Sequence, residues 1–202
     1  MTDRDTREIY DESADELSDY YDEIGPREGD IDLAFALAGD LENPVVLEIG
    51  SGNGRDAAAI MRRTPYYTGI DTSGRMVEKA QKRLPKAHFE QADAVTYDYP
   101  QSTDIVFAFA PFRHMDLSAV TTVLRKIYDS LRLGGVLYIS SNYGQKYGEV
   151  TRSHPRGIDH IYYYNPDIIQ KHAPSGFKKA SELHDIVNGE PWFEVALRKE
   201  VA

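Results

Sequence analysis

The spacing of apolar residues along the chain follows two periods, and the way they alternate predicts an α/β fold. Near the N-terminus, apolar and tyrosine residues between Ile9 and Ile24 recur at helical spacing with acids between them. This pattern predicts an amphipathic helix with one tyrosine-rich stripe, stopped by Gly25-Pro26. A second helix is predicted over 31–41, closed by Asn43-Pro44.

From residue 45 onward, strand and helix patterns alternate, which is typical of a parallel sheet with helical crossovers. Strands are predicted over 45–50, 67–71, 88–91, 104–110 and 136–141, and helices over 55–63, 74–84, 117–131 and 167–172. The polar segment 142–160 is predicted to be a long loop. Two strand-like segments, 178–187 and 192–199, flank Asn188-Gly189, a hairpin signal that makes one final strand antiparallel. The chain is therefore predicted to be a doubly wound, mostly parallel α/β sheet.

Composition limits the classes of protein to which the chain could belong. Its 202 residues and 41% hydrophobic content suit one globular domain. Its sequence has no eighteen-residue apolar run and no signal-peptide pattern, so we expect a cytoplasmic protein without membrane contact. Cysteine is absent, which excludes disulfides, thiolate metal ligands and cysteine nucleophiles. No metal site is predicted.

The negative charge is concentrated at one end of the chain. Residues 1–32 carry thirteen acids and three arginines, a balance of 3 − 13 = −10, whereas the other 170 residues carry twenty acids and twenty bases. Such an acidic segment repels polyphosphate, so a nucleic-acid partner is not expected. We expect most of these acids to form a solvated helix face.

The segment 45–54, VVLEIGSGNG, carries the clearest chemical signal. An apolar strand ends in glycines at alternate positions, and a helix pattern follows. Because glycine has no Cβ, a ligand can lie against bare backbone there. The dinucleotide fingerprint would place its third glycine at position 55, which is Arg55. The spacing therefore indicates a nucleotide-like ligand other than a dinucleotide.

Acids at three points of the predicted sheet indicate which ligand this loop serves. Asp71, at the end of the second strand, can accept hydrogen bonds from a ribose diol. Asp93, beside the small residue Ala94 after the third strand, can accept the amino group of adenine. Glu48, two residues before the first glycine, suits a cationic ammonium group and is a poor neighbour for a pyrophosphate.

These motifs resemble those of the Rossmann-like (class I) S-adenosylmethionine-dependent methyltransferases. The resemblance rests on the segments 45–54, 69–73 and 91–94, on 131–140 before the fifth strand, and on 163–169 with 175–177. It covers roughly residues 40–199 and implies the strand order 3-2-1-4-5-7-6, with strand 7 antiparallel. It also implies S-adenosylmethionine as cofactor, S-adenosylhomocysteine as product, and an N-terminal segment 1–40 before a methyltransferase domain 41–202. The cofactor-binding residues that it implies are Tyr20, Glu48, Gly50, Ser51, Gly52, Asn53, Asp71, Thr72, Met76, Asp93, Ala94 and Phe109.

The acceptor is expected beyond strands 4 and 5 and is less well defined by the sequence. Methyl transfer is an in-line displacement that needs alignment and exclusion of water, so a dedicated base is optional. His114 falls where many small-molecule methyltransferases of this family have a histidine; it is either a base or orienting group, or a packing residue at the entry to a helix. We predict a small anionic or aromatic acceptor, although a solvated loop would explain some of the same residues. The predicted acceptor pocket is Phe112, Arg113, Tyr143, His154 and Arg156.

Three further possibilities stay open at this point. The first helix is either a lid over the cofactor or an element packed on the sheet flank or in a dimer contact, and the chain is a monomer or a homodimer. A nicotinamide-dependent oxidoreductase is the competing enzyme class, disfavoured by Arg55 and Glu48. A non-enzymatic S-adenosylmethionine-binding or S-adenosylhomocysteine-binding protein is also compatible with the motifs.

Overall fold

The computed structural model describes residues 6–154 and 157–201, and a seven-stranded sheet organises most of them. The strands are β1 (Val46–Ile49), β2 (Tyr67–Asp71), β3 (His88–Gln91), β4 (Thr103–Phe109), β5 (Leu131–Asn142), β6 (Gly148–His154), β7 (Gly157–Tyr163), β8 (Phe177–Val187) and β9 (Glu190–Lys199). The helices are α1 (Thr6–Glu12), α2 (Ala14–Ile24), α3 (Glu28–Ala38), α4 (Ala57–Met61), α5 (Gly74–Arg83), α6 (Leu117–Ser130) and α7 (Pro166–His172), with a 3-10 turn at Pro111–His114.

The strand order of the large sheet is β3-β2-β1-β4-β5-β9-β8. The first five strands pair in parallel and β9 pairs antiparallel with both of its neighbours. The predicted fold and strand order are confirmed, because the predicted strands 6 and 7 are β8 and β9 here. The Asn188-Gly189 turn joins them with positive φ at both residues, 53° and 78°, which matches the twist of a two-residue hairpin.

Both faces of the sheet are buried, as expected for parallel strands between helices. Along β4, Val106 and Ala108 pack into a core that contains residues of α6, whereas Ile105 and Phe107 pack into a second core that contains residues of α3, α4 and α5. This alternation makes β4 apolar from Ile105 to Phe109. The chain connections then leave the carboxyl ends of β1, β2 and β4 side by side.

The segment 142–160 differs from the prediction, because β6 and β7 form a separate two-stranded antiparallel hairpin rather than a long loop. Ile161 is buried on one side of this hairpin, and Tyr162 stacks on Tyr147 with ring centroids 6.2 Å apart. A strand with one side facing mainly solvent needs few apolar residues. The sequence of β6 and β7 is therefore polar enough to resemble that of a loop. Some helix bounds also shift: the first helix is divided at Ser13, and α3 begins earlier than predicted.

Many of the N-terminal acids are paired rather than simply solvated, which corrects the expectation from charge. Asp15 contacts Lys79 Nζ at 2.7 Å, and Asp22 contacts Arg83 of the same helix α5. Asp11 accepts a hydrogen bond of 2.6 Å from the Ser73 hydroxyl, just before α5. Because these acids all meet α5 or its cap, the charge of the N-terminal segment serves to dock α1 and α2 against the domain.

We expect the Asp22→Asn variant to loosen α2 while leaving global stability almost unchanged. Asp22 accepts hydrogen bonds from Arg83 and from the Asn53 side chain, but exposed ion pairs contribute only about 0.2–1 kcal/mol. Amide hydrogen exchange over 14–24 should therefore become faster, with a small change in melting temperature.

Asp19→Asn is the matched control, because Asp19 is exposed on the same helix and has no contact recorded in the described part of the chain. Equal acceleration in both variants would contradict a docking role for Asp22.

Candidate active site

The glycine loop after β1 is held by backbone hydrogen bonds to the end of β2. Gly50, Gly52 and Gly54 all have positive φ, between 53° and 77°, a conformation that suits glycine. The amides of Gly50 and Ser51 both donate to the carbonyl of Ile70, at 2.8 and 3.0 Å. The loop therefore turns sharply at the carboxyl edge of the sheet.

The glycines also permit close packing on two sides of this loop. A Cβ at Gly54 would lie 3.2 Å from both Ala80 Cβ and the ring of Phe89, so this glycine lets the loop approach α5. A Cβ at Gly52 would meet only Tyr21, at 3.8 Å. The Ser51 hydroxyl nearby is buried and has no hydrogen-bond partner among the described residues. A ligand with polar groups would satisfy it.

A cleft of about 1140 Å³ opens at this edge of the sheet. Most of the residues predicted to bind the cofactor line it, although their contact with a ligand stays a prediction. Those residues are Tyr20, Gly50, Ser51, Gly52, Asn53, Asp71, Thr72, Asp93, Ala94 and Phe109.

Glu48 and Met76 are the two predicted cofactor residues that do not line the cleft. Glu48 is 1% exposed and accepts a hydrogen bond from the Tyr67 hydroxyl on the α5 side of the sheet. Burial, with a smaller effect of Asp56, raises the pKa of Glu48 well above its usual range. Met76 is fully buried in the first half of α5. Both side chains are therefore buried beside the cleft residues without lining the cleft, and their contact with a cofactor stays a prediction.

Asp71 ties the glycine loop to the start of α5. Its Oδ2 accepts from the Gly52 amide and its Oδ1 from the Ser73 amide, both at 2.9 Å. Burial raises the pKa of Asp71, while these two backbone amides oppose the shift. Each carboxylate oxygen keeps further acceptor capacity, so a ribose diol could share this carboxylate. Asp93 is exposed after β3, and one of its oxygens accepts from the Val95 amide.

Residues of α1 and α2 cover the cleft. The buried amide of Asn53 donates to the Ser18 hydroxyl at 2.8 Å, which links the glycine loop to α2. Tyr20 accepts from Asn188 in the β8–β9 turn on the other side of the opening. Tyr10 and Tyr21 also line the cleft. This position is the one predicted for a lid, and the function of covering a ligand stays a proposal.

Part of the predicted acceptor pocket also lines the cleft. Arg113 and His114 follow β4 in the 3-10 turn, and both border the cavity. The guanidinium carbon of Arg113 lies 5.5 Å from the Trp192 ring, and Arg113 Nε is buried without a hydrogen-bond partner in the described structure. This leaves a donor for an anionic group.

The other predicted pocket residues do not join this group. Phe112 is fully buried in the core on the α6 side of the sheet, and Tyr143 packs on His184 with ring centroids 5.0 Å apart. Neither residue lines the cleft. His154 ends β6, and its side chain lies outside the described part of the structure, as does Arg156 entirely.

Several acids that line the cleft were not identified from the sequence, and three of them interact electrostatically. Asp30, Asp185 and Glu194 all line it, and Asp30 accepts a 2.8 Å hydrogen bond from the Tyr138 hydroxyl. Burial, reinforced by the negative charges of Asp30 and Asp185, raises the pKa of Glu194 to about 7. The only available signal was an acid in the alternating pattern of β9, which is too common to indicate a site.

A match to a known family agrees with the fold and the cleft. Residues 46–135 match a family model described as a methyltransferase domain. The match covers 90 of the 202 residues and agrees with the family resemblance that the motifs predicted. The described residues contain no helix that is both long and apolar enough to span a bilayer, and no cluster of His, Cys, Asp or Glu suited to a metal ion.

Similar proteins from bacteria are named methyltransferases. The chain is 35% identical over 102 residues to trans-aconitate 2-methyltransferase of Methylobacterium radiotolerans, a match covering 49% of this chain and 38% of that protein. The match to the same enzyme of Afipia carboxidovorans is 36% over 101 residues, covering 49% and 39%. The chain thus spans only about two fifths of the length of these curated relatives.

Solved structures match over nearly the whole chain at lower identity. The complex of DhpI with S-adenosylhomocysteine has a TM-score of 0.73 at 19% identity, covering 98% of this chain and 97% of that one. A 1,6-didemethyltoxoflavin-N1-methyltransferase from Burkholderia thailandensis has a TM-score of 0.70 at 17% identity, covering 100% and 92%. At these identities, the likeness is evidence for the fold alone.

We expect the Glu194→Gln variant to be more stable than the wild type at pH 8. The pKa of Glu194 rises from 4.5 to about 7 in the folded protein, so folding favours the protonated acid. This stabilising contribution is complete below pH 4.5 and is lost as the pH rises through 7. Glutamine stays neutral, so the melting-temperature gain should shrink toward zero near pH 4.5.

Glu200→Gln is the control for this comparison, because Glu200 is an exposed acid just after the same strand. A pH-independent difference between Glu194→Gln and the wild type would contradict the crowding of carboxylates in the cleft.

Proposed function

We propose that the protein transfers a methyl group from S-adenosylmethionine to a small-molecule acceptor. The observation that carries this proposal is Asp71, a carboxylate at the end of β2 that is hydrogen-bonded to Gly52 of the glycine loop and borders the cleft. A diol-binding acid beside bare backbone suits a nucleoside, and the methyltransferase family of the chain specifies which one. Several relatives are named trans-aconitate 2-methyltransferase, and this supports a small molecule as the acceptor.

S-adenosylmethionine supplies an electrophilic methyl group on a sulfonium. The protein therefore needs to bind the two substrates, align the acceptor with the methyl group, and exclude water. Asp71 would hold the ribose hydroxyls, and Asp93 with Ala94 would contact adenine. Gly50 and Gly52 would leave room for the ribose and methionine portions. The cover of α1 and α2 would keep water from the sulfonium, since several of its tyrosines line the cleft.

An acceptor with an anionic group is the class that the cleft favours. The buried Nε of Arg113 has no hydrogen-bond partner among the described residues, and the guanidinium lies over the ring of Trp192, which lines the same cavity. A guanidinium binds carboxylate in a planar fork, and the adjacent indole would suit a flat or unsaturated molecule. The acids Asp30, Asp185 and Glu194 would repel the same group and so orient it toward Arg113.

A nicotinamide-dependent oxidoreductase is the weaker candidate. A third glycine for a dinucleotide is absent, and Arg55 at that position is engaged with Asp56. The competing possibility of a binding protein without catalysis would differ only in the lack of turnover.

We expect calorimetry to detect S-adenosylhomocysteine binding to the full chain, and no heat with NADH. Asp71→Ala should weaken that binding by at least about tenfold, because a charge-assisted hydrogen bond contributes about 1.5–3 kcal/mol. Asp98→Ala is the control, since Asp98 is an exposed acid outside the cleft.

Turnover is tested separately with labelled S-adenosylmethionine against a panel of small organic acids. Equal loss of binding in the two variants, or preferential binding of NADH, would contradict the assignment. Binding without transfer to any small molecule would favour the non-catalytic alternative.

A further inference from the structure

Three side chains from three elements form a line that ends in the cleft. The Tyr10 hydroxyl of α1 lies 3.0 Å from Nε2 of His114, in the 3-10 turn after β4. On the other side of the imidazole, Nδ1 lies 3.5 Å from Oδ1 of Asp159 on β7. Tyr10 and His114 both line the cleft that holds the glycine loop. Because Tyr10 and Asp159 are far apart in the sequence, no short sequence motif indicates this arrangement.

The surroundings keep the imidazole neutral. Burial lowers the pKa of His114, with Arg113 adding to the effect and Asp159 opposing it. Burial also raises the pKa of Tyr10 well above its usual range, reinforced by Tyr21 and Asp159 and opposed by Arg113. The charged and titratable groups facing the pair are therefore Tyr21, Arg113 and Asp159, together with the backbone of His160. A neutral histidine beside a protonated tyrosine can receive a proton.

The position of Asp159 selects the tautomer. A carboxylate next to Nδ1 favours the form with the proton on that nitrogen, since the N–H can point at the negative charge. Nε2 then carries a lone pair and accepts the hydrogen bond that Tyr10 donates. Asp159 orients the ring and favours the imidazolium that forms after proton transfer, so its role is positioning.

We propose that Tyr10 and His114 form a proton relay that deprotonates the acceptor atom during methyl transfer, with Asp159 as its positioning residue. This inference rests on the proposed function of the same cleft. It assigns a chemical task to α1, which otherwise only covers the site. It also gives His114 a role through Tyr10 rather than by direct contact with the acceptor.

For an acceptor with an O–H or N–H group, methyl transfer is coupled to the loss of that proton. A lone pair of that oxygen or nitrogen forms the bond to the methyl carbon, while the carbon–sulfur bond breaks and its electron pair stays on sulfur. The acceptor proton moves to the oxygen of Tyr10 as the proton of Tyr10 moves to Nε2 of His114. The imidazolium later loses its proton to water, which restores the relay.

The relay therefore restricts the acceptor class. A carboxylate carries no proton at neutral pH and needs no base, whereas a hydroxyl, a phenol or a ring N–H does. Together with Arg113, the relay fits a small acid that is methylated at a separate hydroxyl or N–H group. This differs from methylation of a carboxyl group, which would leave Tyr10 and His114 without a chemical task.

Nitrogen-15 NMR of the histidines tests the ground state of the relay without any acceptor. In the full chain with S-adenosylhomocysteine, His114 should be the tautomer protonated at Nδ1, with a titration midpoint below 6.5; the His114→Asn variant identifies its signals. Asp159→Asn should lower that midpoint further, because it removes a negative charge. Tyr10→Phe should raise it, because it removes the hydrogen bond to the neutral ring. A His114 protonated at Nε2 would overturn the relay.

Kinetics test the transfer step. The probes are 3,4-dihydroxybenzoate, which offers O–H groups, and trans-aconitate, which offers only carboxylates. Methylation of the phenol should fall by about 100-fold in kcat in Tyr10→Phe, the lower range for acid–base catalysis, and by about tenfold in Asp159→Asn with a shifted pH profile. Binding of S-adenosylhomocysteine and the melting temperature should stay near wild type, which separates the loss from misfolding and from failure of the proposed function.

Tyr66→Phe is the control, since it removes a tyrosine hydroxyl at an exposed position outside the cleft. Methylation of trans-aconitate alone, or equal activity of wild type and Tyr10→Phe on the phenol, would overturn the proposal. If neither probe is methylated, the tautomer of His114 and its titration midpoints in the wild type and the variants decide whether the proposal stands.

Discussion

The site depends on the carboxylate of Asp71, which two backbone amides fix at the carboxyl edge of the sheet. One amide belongs to the glycine loop after β1 and the other to the start of α5, so the ends of two neighbouring strands share one acid. Because parallel strands β1 and β2 pair in register up to Ile49 and Ile70, this acid always meets the loop. The same contact that shapes the loop leaves acceptor capacity for a ligand.

The covering helices follow from that arrangement. Asn53, within the loop, binds Ser18 and Asp22 of α2, and α5 presents bases to the acids of the N-terminal segment. Asp11, Asp15 and Asp22 thus use part of the excess negative charge to dock α1 and α2 against α5 and its N-cap. Docking brings Tyr10 to His114 and Tyr20 to the turn of the last hairpin. Binding of the donor, exclusion of water and the proposed proton relay therefore share one structural element.

Sequence reasoning recovered what is local or periodic. The β8–β9 hairpin and the glycine loop could be predicted, because turn chemistry and glycine spacing act over a few residues. The sheet order was an implication of the family resemblance. The prediction of a long loop over 142–160 was wrong, because the polar strands β6 and β7 show little hydrophobic periodicity. The distance of Glu48 from Gly50 along the chain could not indicate that its side chain is buried against Tyr67, and its role toward the cofactor stays a prediction.

The contacts that could not be predicted join distant segments. Asp159 lies within a segment that was predicted as a loop, and its approach to His114 requires the position of the β6–β7 hairpin relative to the end of β4. Glu194 has an acid-crowded environment only because α3 brings Asp30 to the same part of the cleft. Each case depends on tertiary placement, which neither composition nor local spacing encodes.

A crystal structure of the full chain with S-adenosylhomocysteine tests the central claim most directly. We expect the ribose diol to meet the carboxylate of Asp71 beside Gly52, and the sulfur to face the part of the cleft lined by Tyr10, His114 and Arg113. A nucleoside bound away from Asp71, or a sulfur atom directed away from Tyr10 and His114, would contradict it.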